Sequence, residues 1–230
     1  MENNFYTLLI LQLTAHLLAD FNFQPQKWCE TKDRKLFSKE HLYHAFVVFV
    51  CSWVLSLMIS FWWAALLIAL FHLGLDVAKG YFFRKNILKK YLFFIDQALH
   101  FAFITLVVFL FGEYEYGWLN IAFIAFAIIA CTKPANIFIK KFMEASGIIS
   151  KKEGDNTLMN AGRVIGSLER ILSFVLILSN QWAAIGFIIA AKTILRFRDT
   201  QTAQTEYVLI GSLLSFGIAI ILGIGYQFIK

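Results

Sequence analysis

The chain has 230 residues, 59% of them hydrophobic and only 16% charged, with a net charge of +6 and a mean hydropathy of +0.66. Soluble domains average about 45 to 50% apolar and about 25% charged residues, so an ordinary water-soluble globule is excluded. A bilayer core takes roughly 20 helical residues per crossing. The length therefore allows about eight membrane helices and leaves no room for a separate soluble domain.

Apolar runs predict eight helices, at about 5–23, 41–60, 61–82, 92–112, 118–139, 161–179, 181–196 and 206–228. The fold class is all-α, a polytopic helix bundle with halves 1–112 and 113–230 in one membrane domain. The break near residue 61 follows from length, because the apolar stretch from Ala45 to Phe71 is too long for one untilted span. Cys29, Cys51 and Cys131 form no CxxC pair and read as reduced core residues. The N-terminal MENNF has no basic region, so a removable signal peptide is not expected.

Lys and Arg test this division independently, because short cytoplasmic loops collect positive charge. They cluster in the connections between helices 1 and 2, 3 and 4, 5 and 6, and 7 and 8, or in the adjacent helix ends. The other connections contain none, and of the 21 basic residues only Lys230 lies in a tail. Both termini are expected on the non-cytoplasmic side. The positive charge is thus a topology marker, and no nucleic-acid partner is expected. The connection from Lys140 to Gly162 has loop composition, with room for a short helix against anionic lipid headgroups.

Four motifs place ionisable residues inside apolar helices. They are His16-Leu-Leu-Ala-Asp20, Glu40-His41-Leu-Tyr-His44, His72-Leu-Gly-Leu-Asp76 and Asp96-Gln-Ala-Leu-His100. His16 and His72, Asp20 and Asp76, Glu40 and Asp96, and His44 and His100 are each 56 positions apart. The first half therefore reads as a tandem repeat of one helical hairpin. Spacing of four puts both members of each pair on one helix face, and the predicted topology puts all eight in the inner half of the bilayer. Two parallel hairpins related by an axis along the membrane normal would bring two such sets together.

A charged side chain near the bilayer centre costs at least about 2.5 to 3.5 kcal/mol, so several together need compensation. A divalent cation supplies it, and imidazole with carboxylate suits zinc, manganese or iron. Two sets predict two ions, with His16, Asp20, Glu40, His44, His72, Asp76, Asp96 and His100 as ligands or their supports. A carboxylate not bound to metal, among Asp20, Glu40, Asp76 and Asp96, would serve as general base. The competing readings are hydrogen-bonded pairs that knit the helices together and a proton or ion pathway.

The second half has a different chemistry at the same face. Lys133 and Asn136 end helix 5, Arg163, Glu169 and Arg170 begin helix 6, Lys192 and Arg196 end helix 7, and Glu206 and Tyr207 begin helix 8. Arginine suits bidentate phosphate binding, so Lys133, Arg163, Arg170, Lys192 and Arg196 are candidates for holding a phosphate-containing anion. Snorkelling side chains are the plainer alternative. The combination predicts a membrane-bound hydrolase, acting on a phosphoester. A metal transporter or metal-responsive sensor is the alternative; outer halves such as VVFVCSWVLSLMI and FAFITLVVFLF, almost wholly apolar, disfavour transport.

The elements HLLADF at 16–21, HLxLD at 72–76, DQxLH at 96–100, AGRxIGxLER at 161–170, AIGFIIAAKTILRF at 184–197 and EYxLIGxLLS at 206–215 carry a resemblance over nearly the whole chain. It resembles an uncharacterised bacterial inner-membrane family, which implies a bacterial cytoplasmic membrane and no established activity. The His and Asp helix motifs are also similar in pattern to those of bacterial membrane-bound metal-dependent hydrolases.

Overall fold

The computed structural model describes residues 2–111, 117–148, 156–196 and 202–229, and among them there is no strand. Three helical segments are long and apolar enough to cross a membrane: Ile59–Arg84, Leu92–Phe111 and Leu209–Ile229. Leu119–Ala130 and Lys133–Ala145 make a fourth if the bent pair counts as one span. Phe109, Phe187, Ile221 and Phe228 are each more than 70% exposed, which water would penalise and lipid does not. The chain is a membrane protein.

The chain divides into two compact units, Met1–Ile129 and Ala130–Lys230. In the first, α1 (Glu2–Leu17) passes into a π-helical turn, Leu18–Asn22. The turn closes with the Phe23 N–H donating to the Leu18 carbonyl at 2.8 Å, and the chain then leaves the helix at Gln24, the residue before Pro25, where α geometry is disfavoured. Pro25 starts α2 (Gln26–Arg34), a short helix in a stretch expected to be loop. Ser38 caps α3 (Lys39–Ser56), with His41 at the third helical position closing the capping box by accepting the Ser38 N–H at 3.2 Å.

The turn between the second and third predicted helices falls at Leu57, which is left-handed at φ 57°, and a 3₁₀ turn, Ile59–Phe61. It leads into α4 (Trp62–Arg84), followed by α5 (Leu92–Phe111) and α6 (Leu119–Ala130). Helices α1, α3, α4 and α5 close a ring in which each touches two others, and α2 lies against α3 and α4. Gly80 permits the α2 contact, because a Cβ there would stand 3.0 Å from the Lys32 carbonyl.

In the second unit α7 (Lys133–Ala145), α8 (Asn156–Leu178), α9 (Trp182–Arg196) and α10 (Thr202–Ile229) pack chiefly through α8 against α10. The single fifth helix expected over 118–139 is interrupted at Cys131 and Thr132. Pro134 explains the break, since its ring clashes with the carbonyl four residues back and it has no N–H to donate. Of the other expected spans, α9 has 15 residues, short of the roughly 20 that a crossing takes.

Candidate metal centre

Each of the four ring helices delivers polar groups to one buried place. His16 ends α1, Asp20 lies in the π turn, His44 is one turn into α3, His72 and Asp76 are on α4, and Asp96, Gln97 and His100 are on α5. His16, His44, His72, Asp76, Asp96 and His100 are all at most 8% exposed. The π turn makes the two HxxxD motifs unequal, because Asp20 projects from a widened turn and Asp76 from a regular helix. Such turns inside α-helices concentrate at functional sites.

Three atoms form the centre. His44 Nε2 and His72 Nε2 are 2.9 Å apart, and Asp20 Oδ1 is 3.2 Å from the first and 3.4 Å from the second. A tetrahedral site with bonds of about 2.05 Å has edges of about 3.3 Å. The circle through the three atoms has a radius of about 1.8 Å, within a zinc-ligand distance, so Asp20, His44 and His72 would fit such an ion. Two buried imidazole nitrogens this close are joined by one proton or by one ion. Asp20 Oδ1 has no hydrogen bond of acceptable geometry, and neither have His44 Nδ1, His72 Nδ1 or His100 Nε2.

Around the triangle, Asp76 Oδ2 lies 3.9 Å from His44 Nε2 and 3.8 Å from His72 Nε2. The same oxygen is paired with the Lys32 ammonium. His16 Nδ1 is 3.7 Å from Asp20 Oδ1, and His16 Nε2 meets Gln97 Oε1 at 3.2 Å. The Gln97 amide donates to Asp20 Oδ2 at 3.4 Å and to Asp96 Oδ2 at 3.2 Å. His100 Nδ1 donates to the Asp96 carbonyl at 2.8 Å, which leaves Nε2 as a lone-pair donor atom. The His100 ring centroid is 4.1 Å from that of His72. Potential donor sets are therefore His16 with Asp20 and His72, and His44 with His72 and Asp76.

The eight repeat residues do not meet as two equal sets. Asp96 is taken up by Lys79 at 2.7 Å and by Gln97. Glu40, its counterpart, stands half-exposed in the first turn of α3 and joins neither donor set. The two sets share His72. Lys32, Lys79 and Gln97 are the residues that sequence reasoning missed: both lysines read as topology markers, and Gln97 sat inside a quoted motif at the repeat position of His41. Lys79, three residues after Asp76 on one helix face, carried a legible signal.

The basic cluster of the second unit is mostly occupied with its own scaffold. Arg170 is 1% exposed. Its Nε donates to the Cys131 carbonyl at 2.7 Å, Nη1 to Ser215 Oγ at 2.9 Å, and Nη2 to Asn136 Oδ1 at 2.6 Å and the Thr132 carbonyl at 3.4 Å. It thus satisfies the carbonyls freed at the helix break. Lys192 pairs with Glu169, while Lys133 and Arg163 are exposed. Arg196 closes α9, and its side chain lies outside the described residues, as do those of Glu206 and Tyr207.

No curated protein and no solved structure matches the chain. A family model described as "Protein of unknown function (DUF3307)" matches residues 8–130, the stretch holding every member of the His and Asp cluster, and the chain belongs to that family.

Proposed function

We propose that the protein is a metal-dependent hydrolase of the bacterial cytoplasmic membrane, holding one divalent ion between Asp20, His44 and His72 and acting on a phosphoester. The triangle of donor atoms carries this reading, with edges of 2.9, 3.2 and 3.4 Å and an Asp20 oxygen lacking any hydrogen bond of its own. Three protein ligands with an open fourth position is the pattern of catalytic zinc, whereas structural sites are closed by four. The overlap of the donor sets at His72 favours one ion over the two that the repeat predicts. Zinc fits the tetrahedral edge best; manganese and iron share the donor chemistry.

Charge favours an anionic substrate. Asp20, Asp76 and Asp96 with Lys32 and Lys79 leave the cluster at −1 when the imidazoles are neutral. A divalent ion turns that to +1. When bound, a divalent ion would supply hydroxide near neutral pH and polarise a phosphoryl oxygen. Within the second unit, Lys133 and Arg163 are exposed to an anion whereas Arg170 is enclosed. Eight crossings with both termini outside remain the reading of the Lys and Arg distribution, and a reporter fused after Lys230 that proves cytoplasmic refutes it.

Metal analysis of protein purified in detergent tests the centre. About one equivalent is expected, falling below a tenth in His44→Ala and His72→Ala variants. Less than half an equivalent, unchanged in those variants, refutes the metal reading. Metal without turnover of any member of a phosphoester panel refutes the hydrolase and leaves transport or sensing by the same site.

A further inference from the structure

The oxygen of Asp76 that faces His44 and His72 already has a cation. Lys32 reaches it from α2, and only 7% of Lys32 is exposed, so the ammonium is buried with the carboxylate. The approach is built at the backbone. Hydrogen alone at Gly80, one turn after Asp76, lets the Lys32 carbonyl come this close, and Arg84 Nη1 reaches the Asp33 carbonyl at 3.5 Å from the next turn of α4. Gln24, in the amide orientation that satisfies both neighbours, accepts from Lys32 Nζ at 2.5 Å and donates to the Asp20 carbonyl at 3.3 Å. The lysine is therefore anchored at both ends of the centre.

We propose that Lys32 is a specificity-determining residue that reserves the fourth coordination position: its ammonium occupies Asp76 Oδ2 and prevents that oxygen from closing the site around the ion. This rests on the metal reading above. An ion attracted to four donors would be held in a closed tetrahedron, the arrangement of structural sites. With Asp76 engaged by a tethered cation, only Asp20, His44 and His72 bind, and a water molecule completes the set. A second positive charge next to the ion also weakens its binding, which keeps the ion exchangeable. The distances of 3.8 and 3.9 Å from Asp76 Oδ2 to the two Nε2 atoms, against 2.9 to 3.4 Å within the triangle, are those of an oxygen drawn away from the centre.

Lys32→Met removes the ammonium and keeps the length of the side chain. Titration of the full chain in detergent with Co²⁺, which reports coordination number by its visible absorption, tests the proposal. Loss of a group that supports a metal site typically costs about 10- to 100-fold in affinity; Lys32 competes with the ion instead, so its removal should act in the opposite direction and tighten Co²⁺ binding by about 10-fold or more. The absorption should keep the intensity of a four-coordinate site but lose the pH dependence that ionisation of a bound water gives, because Asp76 would replace that water. Lys32→Arg keeps a cation at Asp76 and should retain the wild-type spectrum. In an Asp76→Asn background the Lys32→Met gain should vanish, since the oxygen it frees has lost its charge. If wild-type protein binds Co²⁺ and Lys32→Met alters neither affinity nor spectrum, or binds more weakly, the role of Lys32 is refuted and the metal centre stands. If wild-type protein binds no Co²⁺, both fall. Should Lys32→Met fail to fold, Lys32→Gln carries the same expectations.

Discussion

Gln97 is the residue whose removal most directly separates a metal centre from a hydrogen-bonded knot. Its amide makes three contacts, with His16 Nε2 at 3.2 Å, Asp20 Oδ2 at 3.4 Å and Asp96 Oδ2 at 3.2 Å. Interhelical hydrogen bonds in membranes average about 0.6 kcal/mol and reach about 1.7, and bonds to charged groups lie at the upper end of their range. Only the contacts with His16 and Asp20 are interhelical, that with Asp96 lying inside α5, and near the upper end of the range the two amount to about 2 to 3 kcal/mol. Gln97→Leu keeps the volume and loses all three. Asp20, the one carboxylate within the triangle, would then lack the donor that fixes its second oxygen. At about 1.4 kcal/mol per decade, metal affinity should fall about 30- to 100-fold. Competition against a chromophoric chelator in detergent measures it, with size-exclusion behaviour verifying the fold. A folded variant within about threefold of the wild-type affinity, a difference of only about 0.7 kcal/mol, refutes the assignment of Gln97 as the support of a metal-binding Asp20.

Two further expectations concern the second unit. A Cβ at Gly223 would lie 2.6 Å from both Ile177 Cδ1 and Cγ2 and 2.9 Å from Cβ, so rotation of Ile177 cannot relieve it. Gly223→Ala should destabilise the α8–α10 contact by about 1 to 3 kcal/mol in denaturant unfolding, with partial recovery in the Gly223→Ala, Ile177→Ala double variant; an unchanged midpoint refutes the packing argument. Arg170→Lys keeps the charge but loses the fork that reaches the Cys131 carbonyl, Asn136 and Ser215 together. Each buried acceptor left unmet costs about 1 to 3 kcal/mol, so thermal stability should drop clearly, and added phosphate should not restore it. Restoration by phosphate returns Arg170 to the role of anion ligand.

How much of this was legible depends on which forces act locally. Helix content followed from hydrophobic composition, and the membership of His16, Asp20, His44, His72 and Asp76 in one cluster followed from spacings of four and 56, because helix periodicity turns such spacing directly into a shared face. The break at Cys131 was also written in the chain, at Pro134, but it was masked by a continuous apolar run on both sides. Arg170 looked like a ligand for an anion because its partners are carbonyls, which every sequence position has and no pattern reveals. Lys32 was invisible for a related reason: positive charge at a cytoplasmic helix end is the commonest topology signal, and only the close approach at Gly80 distinguishes this lysine from its neighbours. Glu40 shows the converse: a carboxylate whose spacing fits the repeat stands in the first turn of α3, where the helix dipole also favours it.

On the proposed reading, a hairpin duplicated at the 56-residue spacing would present equivalent donors, and one ion off their axis would see them unequally. Three departures from the repeat resolve the conflict. The π turn at Leu18–Asn22 sends Asp20 to the imidazoles of His44 and His72, while Asp76, its counterpart on a regular helix, meets Lys32. His41 spends its Nδ1 on the α3 cap, while its counterpart Gln97 ties His16 to Asp20 and Asp96. Lys79 neutralises Asp96, whereas Glu40 remains at the surface of its helix end. These departures withdraw Asp76, Asp96 and Glu40, and of the five donors that remain Asp20, His44 and His72 form the tightest triangle. Neither hairpin alone holds more than two of its three atoms, so an ion bound there ties α1, α3 and α4 together, and metal binding and bundle stability become one equilibrium.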